Sequence, residues 1–431
     1  MATDPPPAAE ADPADGAWPR RGAPLFMGGH RVRLLQGGDE LFPAMRAAIA
    51  QARHEVWLST YIFHDDDDAR AMAGALAEAG RRGVRVCVVV DGFGSKATLS
   101  RLREWMPEPA VELAVFRPID RWWSLMQPGQ LRRLHHKLCA VDREVAFVGG
   151  INVIGDRLDL RHGLSDAPRL DFAVELRGPV AVQVAQAARA VWSRAALGAD
   201  WREEVRALAR SAQPLARARR VLQRLRLVSP SPPAGGSATA PVSVAFIVRD
   251  NLRRRRSIER AYIEAVLRAR DRVDLVTAYF YPGRLFRRAL IRAAQRGVRV
   301  RLLLQGKIDY RFAALAAQVL YDELRRYGIR IFEYTPAFLH AKAALADRQW
   351  ATVGSSNIDP LSLLLNLEAN VIVRDEVFNS ELSRRFDLAV AASREVTDGD
   401  GRAGWRPLVL RGFVAWCANW LLRMAGITSR Y

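Results

Sequence analysis

Apolar positions along the chain fall into short, nearly continuous runs, and the runs recur. Residues 52–63 (ARHEVWLSTYIF) resemble residues 269–280 (ARDRVDLVTAYF), and each reads as a helix tail followed by a strand. Residues 81–94 (RRGVRVCVVVDGFG) resemble residues 295–308 (QRGVRVRLLLQGKI). Here a helix ends, Gly83 or Gly297 supplies a left-handed cap, and an apolar strand follows. Strands that are apolar throughout and alternate with helices predict a parallel or mixed sheet covered on both faces. Further matched points follow in the same order, and their offset shrinks from 217 to 197 residues. The pattern is that of a duplicated α/β domain with loops of unequal length.

The punctuation gives the boundaries. Residues 1–21 are rich in Pro, Ala and acidic side chains, with no apolar segment of the kind a signal peptide carries, and predict a disordered leader. Residues 22–210 form the first domain. The segment 211–242 runs from ARARRVLQRLRL into SPSPPAGGSATAP and reads as a flexible linker. Residues 243–400 form the second domain, and 401–431 an amphipathic tail.

With 431 residues, half of them hydrophobic, the chain can bury two sizeable cores. The formal net charge of +19 implies a polyanionic partner, either nucleic acid or an anionic membrane surface. Three scattered cysteines, Cys87, Cys139 and Cys417, form neither a disulfide framework nor a zinc motif and fit a reducing cytoplasm. No apolar run reaches the roughly 18 residues a membrane span needs, so a soluble or peripheral protein is expected.

The candidate chemistry is doubled as well. HHKLCAVDREVAFVGGIN (135–152) and HAKAALADRQWATVGSSN (340–357) share His, Lys, Asp, Gly and Asn at identical spacing. The candidate catalytic set is therefore His135, Lys137 and Asp142 with His340, Lys342 and Asp347. In a strand, His and Lys two residues apart project to one side and can reach one phosphate. Imidazole is a competent nucleophile that titrates near neutrality, and Lys is a point charge suited to phosphate oxygens. Asn152, Ser355 and Asn357 follow as candidate phosphate donors. The two aspartates read rather as turn residues at a strand end. His136, in the intervening position, should point away. One site built by both halves would let one His attack phosphorus while the other protonates the leaving alkoxide. This scheme uses no metal or other cofactor, and no carboxylate or His cluster has metal-ligand spacing. Asp171 and Glu368 recur in a strand after each motif, and each is a candidate for orienting a histidine.

At these residues the chain resembles the phospholipase D superfamily, whose signature is the doubled HKD motif, over roughly 22–400. RRLHHKLCAVDREVAFVGGIN (132–152) and GSSNIDPLSLLLNLEANVIVRD (354–375) are similar to bacterial cardiolipin synthases, the B-type in particular. The resemblance implies two pseudo-twofold-related domains, each a mixed β-sheet flanked by helices, with the site at their interface. It implies a phosphatidyl-histidine intermediate and phosphatidyl transfer from phosphatidylglycerol, or phosphatidylethanolamine, to phosphatidylglycerol. By position it makes His135 the nucleophile and His340 the general acid/base. The chain departs from the pattern at Gly150, where many members have Ser.

The superfamily also contains nucleases, so the substrate is argued from the surroundings of the motif. Trp122 and Trp123 precede His135 and are flanked by Arg132 and Arg133, a composition suited to a membrane interface. PLSLLLNL (360–367) follows Asn357, and the tail is apolar and aromatic but broken by Arg411 and Arg423. These features favour lipid over nucleic acid, with an anionic phospholipid membrane as partner and a peripheral place on the cytoplasmic side of the cell membrane. A phospholipase D-type phosphodiesterase or nuclease using the same two histidines is the alternative.

Overall fold

The computed structural model describes residues 24–119, 132–160, 163–199, 242–249, 256–306, 320–359, 362 and 366–397. The expected leader and tail, nearly all of the expected linker, and Trp122 and Trp123 lie outside the described residues.

The first sheet is built from β1 (Arg31–Gln36), β2 (Glu55–Thr60), β3 (Arg85–Asp91), β4 (Glu112–Phe116), β5 (Lys137–Val141), β6 (Val145–Gly149) and, after a two-stranded hairpin of β7 (Leu158–Asp159) and β8 (Gly163–Leu164), β9 (Phe172–Arg177). Its strand order is β1-β9-β6-β5-β2-β3-β4. The strands β2, β3 and β4 run parallel, and the remaining pairs are antiparallel. Helices α1 (Gly37–Ala50), α2 (Asp67–Arg81), α3 (Leu99–Trp105) and α4 (Val180–Ala199) accompany it.

The second sheet repeats the plan with β10 (Ser243–Arg249), β11 (Arg272–Thr277), β12 (Arg299–Gln305), β13 (Arg330–Tyr334), β14 (Lys342–Ala346), β15 (Trp350–Gly354), β16 (Glu368–Arg374) and an added edge strand β17 (Ser393–Glu395). Its order, β10-β16-β15-β14-β11-β12-β13-β17, matches the first position by position. Helices α5 (Ser257–Arg268), α6 (Arg284–Gln295) and α7 (Glu376–Ala391) accompany it.

The uniformly apolar strands are explained by cover on both faces. In β5 and β6, Leu138, Ala140, Ala146 and Val148 join a central core shared with Ala343, Leu345, Ala351 and Val353 of the second sheet. The alternate residues Cys139, Val141, Val145 and Phe147 join a separate core beneath α1 and α2. The side chains at the sheet–sheet junction are mostly Ala and Val, small enough for two sheets to stack about 10 Å apart. The helices show the complementary period: in α6, Phe286, Ala289, Leu290 and Ala293 are buried at helical spacing. Burial of a large apolar side chain such as Phe286 contributes about 2–3 kcal/mol. Gly83 and Gly297, at φ +88° and +87°, follow α2 and α6 in the left-handed region that the caps require. No helix among the described residues is long and apolar enough to cross a membrane.

Candidate active site

Two short extended segments of each half meet at the junction between the sheets. Leu134 pairs with Leu367, and Leu170 with Leu339, in isolated parallel bridges. The His135 amide donates to the Leu367 carbonyl (3.0 Å) and the His340 amide to the Leu170 carbonyl (2.9 Å). These ladders place Glu368 of the second half beside His135 of the first, and Asp171 of the first half beside His340 of the second. Nδ1 of His135 lies 2.9 and 3.0 Å from the two carboxylate oxygens of Glu368. Nδ1 of His340 lies 2.7 Å from Oδ2 of Asp171. Both candidate orienting carboxylates thus reach a histidine, and the pairs are crossed: each histidine takes its carboxylate from the opposite domain. With Nδ1–H donated to a carboxylate, Nε2 is the nitrogen left for chemistry in both rings.

The two lysines complete the cluster. Lys137 and Lys342 open β5 and β14, and each ammonium donates to the carbonyl of its own histidine, Lys137 to His135 at 2.6 Å and Lys342 to His340. Burial drives both ammoniums toward neutrality, Lys137 to about 8 and Lys342 to about 7, against the pull of Asp171 and Glu368. Burial also lowers His135, which Glu368 resists, and lowers His340 further, with Lys342 and Lys137 adding to the effect. Burial raises Asp171 to about 7 in spite of Lys342. Burial disfavours the Glu368 carboxylate too, but His135, Lys137 and the Ser355 hydroxyl outweigh it and hold the group below its ordinary range. The histidines, lysines and carboxylates perturb one another and form one electrostatic unit drawn from both halves of the chain.

The candidate phosphate donors divide. Asn152 and Asn357 are both buried. The Asn152 amide oxygen accepts from the Ile62 amide (3.2 Å), and that of Asn357 accepts from the Thr277 hydroxyl (3.4 Å), so each keeps its N–H donors for other partners. Ser355, expected at the phosphate, instead donates to Oε2 of Glu368 (2.5 Å) and accepts from the Ala369 amide (3.0 Å). Its counterpart is Gly150, where an added Cβ would collide with Oδ1 of Asp171. The departure at Gly150 therefore has a steric cause: one half uses Glu with a supporting Ser, the other uses the shorter Asp against a bare glycine.

Asp142 and Asp347, the third members of the repeated motif, do not join the cluster. Each follows the far end of its strand, about 16 Å along from the lysine. Both sit at φ 51°, in the left-handed region that Asp tolerates. Asp142 accepts from the amides of Arg53, His54 and Glu55, each at 2.8 Å, and Asp347 accepts from those of Arg270, Asp271 and Arg272. They staple the starts of β2 and β11 to the ends of β5 and β14. Asp142→Ala should lower stability by about 1–3 kcal/mol, seen as a lower denaturation midpoint, while kcat of the folded protein stays close to wild type. A loss of kcat without a loss of stability would place this carboxylate in the chemistry.

His136 points away from the cluster. It is buried, its Nδ1 lies 3.2 Å from the Ser59 hydroxyl, and burial lowers it to about 3. A further matched pair was not read from the sequence. Asp91 accepts from the Leu134 amide (2.9 Å), and Gln305 accepts from the Leu339 amide (3.0 Å), so each fixes the residue before a histidine. The signal was available: Asp91 and Gln305 occupy the same place in the repeated VVVDGFG and LLLQGKI segments.

Two histidines with crossed carboxylates and two buried lysines, set between duplicated mixed sheets, define an enzyme of phosphodiester transfer. A family model described as "Cardiolipin synthase, PLD-like domain" matches residues 45–163 and again 262–389. Cardiolipin synthase B of Escherichia coli (strain K12) is 34% identical over 371 residues, covering 86% of this chain and 83% of that protein. Cardiolipin synthase A of Pseudomonas fluorescens (strain SBW25) is 31% identical over 386 residues, covering 90% and 74%. Among solved structures, phosphatidylserine synthase of Haemophilus influenzae Rd KW20 shares the fold, with a TM-score of 0.65, 12% identity and coverage of 93% and 97%. The chain belongs to the cardiolipin synthase, phospholipase D-like family, and it is a phospholipid phosphatidyltransferase.

Proposed function

We propose that the protein makes cardiolipin by transferring the phosphatidyl group of one phosphatidylglycerol to a hydroxyl of a second, with release of glycerol. The observation that carries the mechanism is the pair of crossed histidine–carboxylate contacts around two buried lysines. Nε2 of His135 attacks phosphorus, the bond to the glycerol oxygen breaks, and His340 gives that oxygen its proton. His340, now neutral, takes the proton of the acceptor hydroxyl. The acceptor oxygen attacks phosphorus, and the P–N bond breaks with its electron pair returning to His135. Lys137, Lys342, Asn152 and Asn357 hold the non-bridging oxygens. Burial and the lysines disfavour the charged form of His340. A bound phosphodiester anion offsets that positive field, so His340 gains its proton together with the substrate. The reaction takes place at an anionic membrane surface with the protein bound peripherally.

Purified protein with phosphatidylglycerol vesicles should yield cardiolipin and glycerol, at equal rates with and without EDTA, since imidazoles supply the nucleophile and both proton transfers. An absolute metal requirement, or cleavage of nucleic acid without lipid transfer, would overturn this reading. The same assay has a defined pH dependence. Lysines with lowered values lose their charge on the alkaline side, so kcat/KM should fall as pH rises through about 7 and then about 8. The limb in kcat should lie higher, because bound phosphate favours the charged ammoniums. A kcat/KM that stays flat far into the alkaline range would contradict the assignment.

A further inference from the structure

We propose that Arg169 binds the headgroup phosphate of the acceptor lipid and so selects an anionic phospholipid over a neutral alcohol or water. This rests on the phosphatidyl-transfer reading above and deepens it. The segment 169–171 is laced to 338–341: the Leu170 amide donates to the Phe338 carbonyl (2.9 Å), and the amides of His340 and Ala341 donate to the Leu170 carbonyl. Arg169 thus stands two residues before Asp171, on the flank of His340, and it is only partly buried. Its backbone amide donates to the Asp156 carbonyl (2.9 Å), and one guanidinium nitrogen donates to the Leu158 carbonyl (2.5 Å). That anchor fixes the side chain while leaving further N–H donors of the fork. The guanidinium charge bears on Asp171, His340 and Lys342 of the cluster, and on Asp156 beside its anchor.

The pseudo-twofold relation makes this residue informative. The bridges Leu134–Leu367 and Leu170–Leu339 equate position 169 with position 366, which is Asn366. The lysines, histidines and asparagines at the reacting phosphate come in matched pairs, whereas this cation is matched by a neutral amide. It lies on the side of His340, the group that takes the proton of the acceptor hydroxyl. Phosphatidylglycerol carries its own phosphate at the other end of the glycerol that bears that hydroxyl, and a guanidinium fork suits a phosphate.

The test is a partition experiment. Wild-type protein, R169Q and R169K are given phosphatidylglycerol vesicles containing ethanol, and cardiolipin and phosphatidylethanol are quantified together. Both products draw on the same phosphoenzyme, so their ratio reports the acceptor step alone. R169Q should lower the cardiolipin-to-phosphatidylethanol ratio about 10–100-fold, the worth of a charge-assisted contact, and R169K should fall between it and wild type. An unchanged ratio in R169Q, including equal loss of both products, overturns the proposal. If R169Q forms neither product, the ratio in R169K decides: a wild-type ratio overturns the proposal and a lowered one supports it. Wild-type protein that makes phosphatidylethanol but no cardiolipin would instead overturn the function proposed above.

Discussion

Alanine at His135 or at His340 should each slow phosphatidyl transfer by at least about 10³-fold, and the double substitution should be little slower than the worse single one. In the proposed mechanism the two rings act in sequence on one phosphorus, so removing either leaves the other without its partner. The variants should differ in what they accumulate. His135→Ala should form no phosphoenzyme, since the nucleophile is gone. His340→Ala should form it slowly and then hold it, because no base activates the acceptor. Acid-quenched protein incubated with phosphate-labelled lipid separates these outcomes. Label retained by His135→Ala and absent from His340→Ala would reverse the two roles, and near-wild-type turnover in either would end the two-histidine scheme.

Glu368→Gln and Asp171→Asn should each cost about 10²–10⁴-fold, the range expected when a carboxylate that fixes a catalytic histidine becomes an amide. Because the contacts are crossed, Glu368→Gln should reproduce the His135 defect even though it lies in the second half of the chain. Asp171→Asn should reproduce the His340 defect from the first half. Labelling of the phosphoenzyme reads this directly. If Glu368→Gln spared phosphoenzyme formation and slowed only its consumption, the crossed pairing would be wrong.

The architecture was legible in the sequence because both faces of each sheet are covered, which makes the strands apolar throughout, and because the duplication displays every element twice. The His, Lys and Asn positions were legible from their identical spacing. The crossed contacts were not, since spacing within one half says nothing about how the halves dock. Ser355 shows the same limit: a hydroxyl beside the repeated asparagine reads as a phosphate ligand, and its bond to Glu368 is seen only in the folded chain. Asp142 and Asp347 recur as faithfully as the histidines, yet they serve backbone amides, so recurrence alone does not separate chemistry from folding. Trp122, Trp123 and the tail lie outside the described residues, and the reading of them as lipid-facing stands as an expectation.

The bridges Leu134–Leu367 and Leu170–Leu339 do more than align side chains. Each histidine is tied to the domain that holds its carboxylate partner, so parting the domains would disarm both rings at once. Any separation of the two halves would therefore have to be reversed before either ring could act.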